Sequence, residues 1–247
     1  MLIVKCRKCR ICVNPLVAIV EMIIIIYLVI VIQSIVSIGS IGFSYIDYLI
    51  ISFLILMGSL GSLFMHEYAH LLAARWMHLP VKELTISLAG ASTSFDGEPS
   101  TAKSSFMISA AGPLMNILTG IILYAAYLVL KESAVVSTIF FCLSVWNGIL
   151  SAYNLLPVMP LDGGCMVRSI LWSKGNNFIR SNQISFNIGN AFIFICFLAG
   201  IVSIFAFHPV MSVVCFVLGV SLWQSAKLAY QQMVTAQLFS MLCPKNR

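Results

Sequence analysis

The amino-acid sequence predicts an all-α polytopic membrane protein with six transmembrane helices and a small membrane-associated β-hairpin or sheet between the second and third. Three observations carry this. First, 60% of the 247 residues are apolar and only 9% are Asp, Glu, Lys or Arg, where soluble domains carry roughly a quarter charged. A mean hydropathy of +1.01 accompanies that composition. Second, the apolar residues gather into six stretches near the roughly 20 residues a helix needs to cross hydrocarbon: 15–37, 48–74, 106–130, 135–156, 188–207 and 209–226. Third, the cations fall where one orientation of six spans puts nearly all of them on one face. A soluble single domain is excluded, and the net charge of +6 reads as loop charge rather than as a nucleic-acid footprint.

The elements follow in order. Residues 1–14 form a basic N-terminal tail carrying Lys5, Arg7, Lys8 and Arg10. The first stretch is too long for a signal-peptide core and no small-residue cleavage site follows it, so it is read as a retained span. With the N-terminus inside, Arg75, Lys82 and Lys103 follow span two on the same side, and Arg168, Lys174 and Arg180 follow span four. Lys227, Lys245 and Arg247 join them after span six, leaving Lys131 alone opposite. Lys and Arg accumulate in cytoplasmic loops, so both termini are expected in the cytosol. The sizeable non-membrane segments, 77–105 and 157–187, lie on that side as well. Residues 15–230 thus make one membrane domain, followed by a short cytoplasmic tail at 231–247.

Ionisable groups inside a span are costly and mark function by default. Span two reads His66-Glu67-Tyr68-Ala69-His70. Imidazoles four residues apart project from one helix face and can chelate one metal, with Glu67 beside it as a base. At this composition, chance produces the pattern somewhere in the chain roughly once in a thousand; the alternative is two satisfied core histidines. A catalytic metal needs a third protein ligand and an open position. Asp162 is the donor the sequence offers, in Asn154-Leu155-Leu156-Pro157-Val158-Met159-Pro160-Leu161-Asp162-Gly163-Gly164. Its prolines and glycines break span four, and irregular backbone at membrane depth is tolerated only against protein or a wet cavity. The plain alternative is a turn capped by an aspartate. Spans two and four run the same way, so both motifs come near the cytoplasmic end of the bilayer.

Together with Gly112-Pro113-Leu114-Met115-Asn116 between them, these motifs resemble the site-2 protease family of intramembrane zinc metalloproteases, peptidase M50. The run from Pro80-Val81-Lys82 through Glu98-Pro99-Ser100 to Ala110-Ala111-Gly112-Pro113 is most similar to its six-span branch. That branch usually carries C-terminal CBS modules; here the chain stops at Arg247, and there is no PDZ insertion. Ala69 stands where many members have Gly, and Cys165 where this branch often has Arg.

The resemblance implies one Zn²⁺ held by His66, His70 and Asp162, with Glu67 as the base that activates water for attack on a peptide carbonyl. It implies a transmembrane protein or signal-peptide remnant as substrate, cut in a prokaryotic cell membrane near its cytoplasmic face. Asn154, whose counterpart lines the site in the family, either bonds the substrate or ties the broken end of span four. Leu84-Thr85-Ile86-Ser87-Leu88-Ala89-Gly90 alternates as a strand entering a hairpin does. In the family this region forms a sheet, so Ser87, Leu88, Ala89 and Gly90 are substrate-binding candidates by strand addition. Gly112, Pro113, Asn116, Pro157, Pro160, Gly163 and Gly164 are expected to pack or orient the ligands. The rival reading is a catalytically silent membrane scaffold of the same fold, against which retention of Glu67 speaks. Anionic lipid is the expected partner of the basic tail. Cys6, Cys9, Cys12 and the intramembrane Glu21 stay without an assigned role.

Overall fold

The computed structural model describes residues 2–6, 9–13, 44–79, 81–87, 90–95, 101–130, 132–175, 177–206 and 209–242. The described helices are α1 (Tyr45–Trp76), α2 (Ala102–Val129), α3 (Ala134–Asn154), α4 (Asp162–Ser173), α5 (Phe178–Phe205) and α6 (Pro209–Leu242). All but α4 are long and apolar enough to cross a membrane. The first expected span, 15–37, lies outside the described residues.

Burial in these helices runs opposite to that of a soluble bundle. Phe53, Phe194 and Val217 are exposed, while Ser59, Ser62, Asn116, Asn147, Ser181 and Ser185 are buried. Helices in lipid gain nothing by hiding apolar surface from one another. They pack through small residues and interhelical hydrogen bonds instead.

Two units make up the chain: residues 1–99 with 110–153, and residues 100–109 with 154–247. In the first, α1 starts at a capping box, where the Ser44 amide donates to Asp47 Oδ2 at 2.9 Å. It ends in a Schellman turn: Leu79 N–H reaches back to the Ala74 carbonyl at 2.9 Å and His78 N–H to that of Arg75 at 3.0 Å. His78 takes the left-handed conformation there, with φ of 58°, at a cost of roughly 1–2 kcal/mol to a non-glycine residue. Ile51, Ile55 and Leu143 form the apolar centre of this unit. Gly58 lets α1 approach α3 so closely that a Cβ would lie 2.6 Å from Leu143 Cδ1.

The strands belong to this unit too. β1 (Leu2–Cys6), β2 (Cys9–Val13), β3 (Val81–Ser87) and β4 (Gly90–Phe95) form a sheet in that order. β3 and β4 are antiparallel with Ser87 opposite Gly90, and β2 runs parallel to β3. β3 is therefore flanked on both sides, and the open edges among the described strands are β1 and β4. Leu88 and Ala89 lie outside the described residues.

In the second unit three boundaries differ from expectation. The segment 157–187, read as a loop, contains all of α4 and the start of α5. α5 begins at Phe178 rather than 188, because its polar first turns find acceptors: Ser181 Oγ donates to the Asn177 carbonyl at 2.9 Å, and Ser185 Oγ to that of Gly164 at 2.8 Å. α6 continues to Leu242 rather than ending at 226. Between α5 and α6 the small residues do the packing. Gly200 faces Phe216 and Gly219 faces Phe197, where an added Cβ would come within 3.1 Å of the ring in each case.

Candidate metal centre

His66, Glu67 and His70 lie in the sixth and seventh turns of α1 and are 3%, 3% and 7% exposed. Their ligand atoms all fall within 4.8 Å of one another. The two imidazoles meet edge to face and bring Nε2 of His66 to 3.1 Å from Nε2 of His70. Two nitrogens bound to one tetrahedral zinc at about 2.0–2.1 Å stand about 3.3 Å apart. The pair therefore needs a shift of only tenths of an ångström to share an ion. Burying three ionisable groups in an apolar helix is costly, and an ion that neutralises the carboxylate and takes up both lone pairs offsets that cost.

Two residues of α2 complete this arrangement. A Cβ at Gly112 would overlap Nε2 of His70 and come within 2.6 Å of the His66 ring, so glycine alone leaves the space beside the two nitrogens clear. Asn116, fully buried, places its amide 2.9 Å from Nδ1 of His66. With the amide nitrogen turned to the ring, the buried Oδ1 has no hydrogen-bond partner among the described residues. Turning the oxygen inward lets it accept from Nδ1–H, which directs the Nε2 lone pair at a metal. Asn116→Ala is expected to weaken zinc affinity about 10- to 100-fold, read by competition with a fluorescent zinc chelator. Asn116→Asp, which keeps the acceptor, should restore most of it.

Reading the sequence missed a polar layer one helical turn away. Asn147 of α3 donates to Ser62 Oγ of α1 at 2.9 Å and to the Leu143 carbonyl at 2.8 Å. Its Cβ lies 3.4 Å from where a Cβ on Gly120 of α2 would stand. Ser151, one turn along α3, donates to the Pro113 carbonyl at 3.2 Å. Ser62 precedes His66 by four residues and Gly120 follows Asn116 by four, so three helices are bolted together directly beside the imidazole pair. The available signal was the four-residue recurrence of Ser62, His66 and His70 on one face of an otherwise apolar helix.

Asn154, Pro157, Pro160, Asp162, Gly163 and Gly164 belong to the second unit. Asn154 ends α3 and Asp162 opens α4, in the first turn, where a carboxylate suits the helix dipole. Between them, Leu161 N–H bonds to the Val158 carbonyl at 2.8 Å, and the Met159–Pro160 peptide is cis. Gly163 packs directly on the Leu155 and Leu156 carbonyls, and Gly164 on the backbone of Val158 and Met159. Neither position has room for a side chain, so this pair seats the start of α4 on the loop that delivers Asp162. Ser169 Oγ meets Ser105 Oγ at 2.7 Å, and Arg168 Nη2 reaches the same hydroxyl at 3.2 Å, tying the far side of α4 to the opening of α2. Burial pushes the Cys165 thiol above its ordinary value and favours the protonated form.

The model of peptidase family M50 matches residues 52–139 and 130–198. Rip3 of Mycobacterium tuberculosis, which carries a zinc metalloprotease name, is 30% identical over 184 residues, 73% of this chain and 47% of that protein. Zinc metalloprotease MJ0392 of Methanocaldococcus jannaschii is 29% identical over 142 residues, 58% of this chain and 41% of the relative. The chain spans about half the length of these relatives. Among solved structures, the site-2 protease from Methanocaldococcus jannaschii matches with a TM-score of 0.59 at 22% identity, covering 91% of this chain and 94% of that one. At that identity the match speaks for the fold alone.

Proposed function

The chain belongs to peptidase family M50, and from that premise we propose that it is an intramembrane zinc metalloprotease cutting peptide bonds in or near transmembrane segments. The single observation that carries the reading is the buried imidazole pair, 3.1 Å apart between Nε2 atoms, with Glu67 alongside and Gly112 keeping the approach open. The five apolar helices and the family make this an integral membrane protein. The fuller topology we propose adds a sixth span at 15–37, a membrane domain over 15–230, both termini in the cytosol and the centre near the cytoplasmic face.

His66, His70 and Asp162 are the proposed ligands of one zinc ion. Bound there, zinc supplies Lewis acidity, lowering the pKa of water and polarising the scissile carbonyl. Glu67 takes the proton from the attacking water and returns it to the leaving amine. Asn154 donates from its side-chain amide to the substrate backbone or to the developing oxyanion. A transmembrane helix hides its carbonyls in its own hydrogen bonds, so the substrate must unwind before attack. We assign its reception to the hairpin around Ser87, Leu88, Ala89 and Gly90, with the open edge of β4 supplying unpaired backbone groups for strand addition.

The test is metal removal. Purified chain in proteoliposomes, given a panel of single-span substrates, is expected to lose cleavage by at least about 10³-fold with 1,10-phenanthroline, the scale of several kcal/mol of Lewis-acid stabilisation. Stoichiometric zinc should restore it. Cleavage indifferent to the chelator would overturn the reading, as would zinc-loaded enzyme that cuts no member of the panel.

A further inference from the structure

The two helices after the proposed centre enclose a groove of about 190 Å³ lined by Phe186, Asn190, Trp223, Ala226, Lys227 and Tyr230. Its walls are ordered by ring contacts. Lys227 Nζ sits 5.2 Å from the centroid of the Trp223 ring, and the Phe186 and Tyr230 rings meet edge to face with centroids 5.6 Å apart. The lining thus includes one lysine, one tyrosine and one asparagine among aromatic and aliphatic residues. That donor set suits a single phosphodiester with carbon on either side of it.

The sequence sets its depth. α6 carries no charge from 210 to 226, roughly 25 Å of helix, so Lys227 is the first charge after a near-complete crossing of the hydrocarbon layer. On α5 the polar run of Ser181, Asn182, Gln183, Ser185, Asn187 and Asn190 gives way after Asn190 to apolar residues. Both helices change character at the groove, and Trp, Tyr and Lys together are the residues that gather at a membrane interface. Lys227 is also among the cations that the charge distribution of the sequence assigns to the cytoplasmic side, where anionic lipids concentrate.

We propose that this groove is a binding site for the headgroup of one anionic phospholipid, its phosphodiester paired with Lys227 and hydrogen-bonded by Asn190 and Tyr230. The lipid is a bound ligand with a fixed stoichiometry, distinct from the diffuse attraction any basic tail has for a charged surface. The inference does not depend on the hydrolytic reading, since it uses no residue of the metal centre.

Native mass spectrometry of the full chain released from nanodiscs of equal phosphatidylglycerol and phosphatidylcholine tests it. Wild type is expected to retain one phosphatidylglycerol, preferred over phosphatidylcholine by at least fivefold. Lys227→Gln and Asn190→Leu should each abolish the preference, Lys227→Arg should keep it, and Lys103→Gln, a cation outside the groove, should leave it unchanged. Equal losses in Lys227→Gln and Lys103→Gln would mean diffuse attraction and overturn the proposal. Displacement of the lipid by millimolar inorganic phosphate would overturn it in favour of a soluble anion. A dimer mass lost in Lys227→Gln would overturn it in favour of a second copy of the chain.

Discussion

Glu67→Gln is expected to lower kcat/KM for a transmembrane substrate by about 10³-fold or more, with zinc content unchanged. The glutamine keeps the volume and one acceptor of the buried glutamate, so the packing at 3% exposure survives. What is lost is the ability to take a proton from water and hand it to the amine, which positioned general acid–base groups make worth typically 10² to 10⁴. His66 and His70 are untouched, so metal binding persists. That separation makes the variant informative: zinc by mass spectrometry and cleavage by gel must part company. Cleavage surviving at more than a tenth of the wild-type rate would remove Glu67 from the role of base. Joint loss of zinc and cleavage would instead make it a structural support of the imidazoles.

The metal centre was more legible than its surroundings, and the reason is physical. Two histidines and a glutamate inside an apolar helix cost too much to keep without a compensating partner, so their spacing speaks even in a single sequence. Gly112 and Asn116 were visible only as a motif. The sequence suggested close packing for the glycine, and its contact is with the two imidazole rings themselves. Ser62 went unnoticed, and Asn147 was considered only as a possible partner of Glu21, because one Asn or Ser in a long apolar run scarcely changes its hydropathy, although inside a helix bundle each must find a partner. The same averaging hid α4 and the first turns of α5. A search for runs of about 20 apolar residues cannot see a 12-residue helix. Nor can it see helical turns rich in Ser and Asn whose hydroxyls bond to neighbouring carbonyls. The N-terminal strands β1 and β2 escaped because the charge of residues 1–14 dominated their reading, while Leu2, Ile3, Val4 and Ile11, Val13 supply the β-branched and aliphatic residues strands favour.

Asp162→Ala is expected to weaken zinc binding by more than about 100-fold, beyond the range for an outer partner such as Asn116, and cleavage should fall with occupancy. Two imidazoles alone are an incomplete set for a metal that takes three protein ligands and one exchangeable position. The substitution has a second consequence to be separated from the first. Asp162 is the first residue of α4, and removing a carboxylate from a helix N-terminus costs roughly 0.3–1 kcal/mol. That loss is present without metal, so thermal unfolding of the zinc-free variant measures it directly and should show only a small decrease. Gly163→Ala provides the converse. It leaves the carboxylate in place but drives a methyl into the Leu155 and Leu156 carbonyls, so it should destabilise the zinc-free protein more than Asp162→Ala does. If Asp162→Ala instead retained zinc at the wild-type level, the carboxylate would be a helix-terminal charge and nothing more. The third ligand would then have to be sought elsewhere.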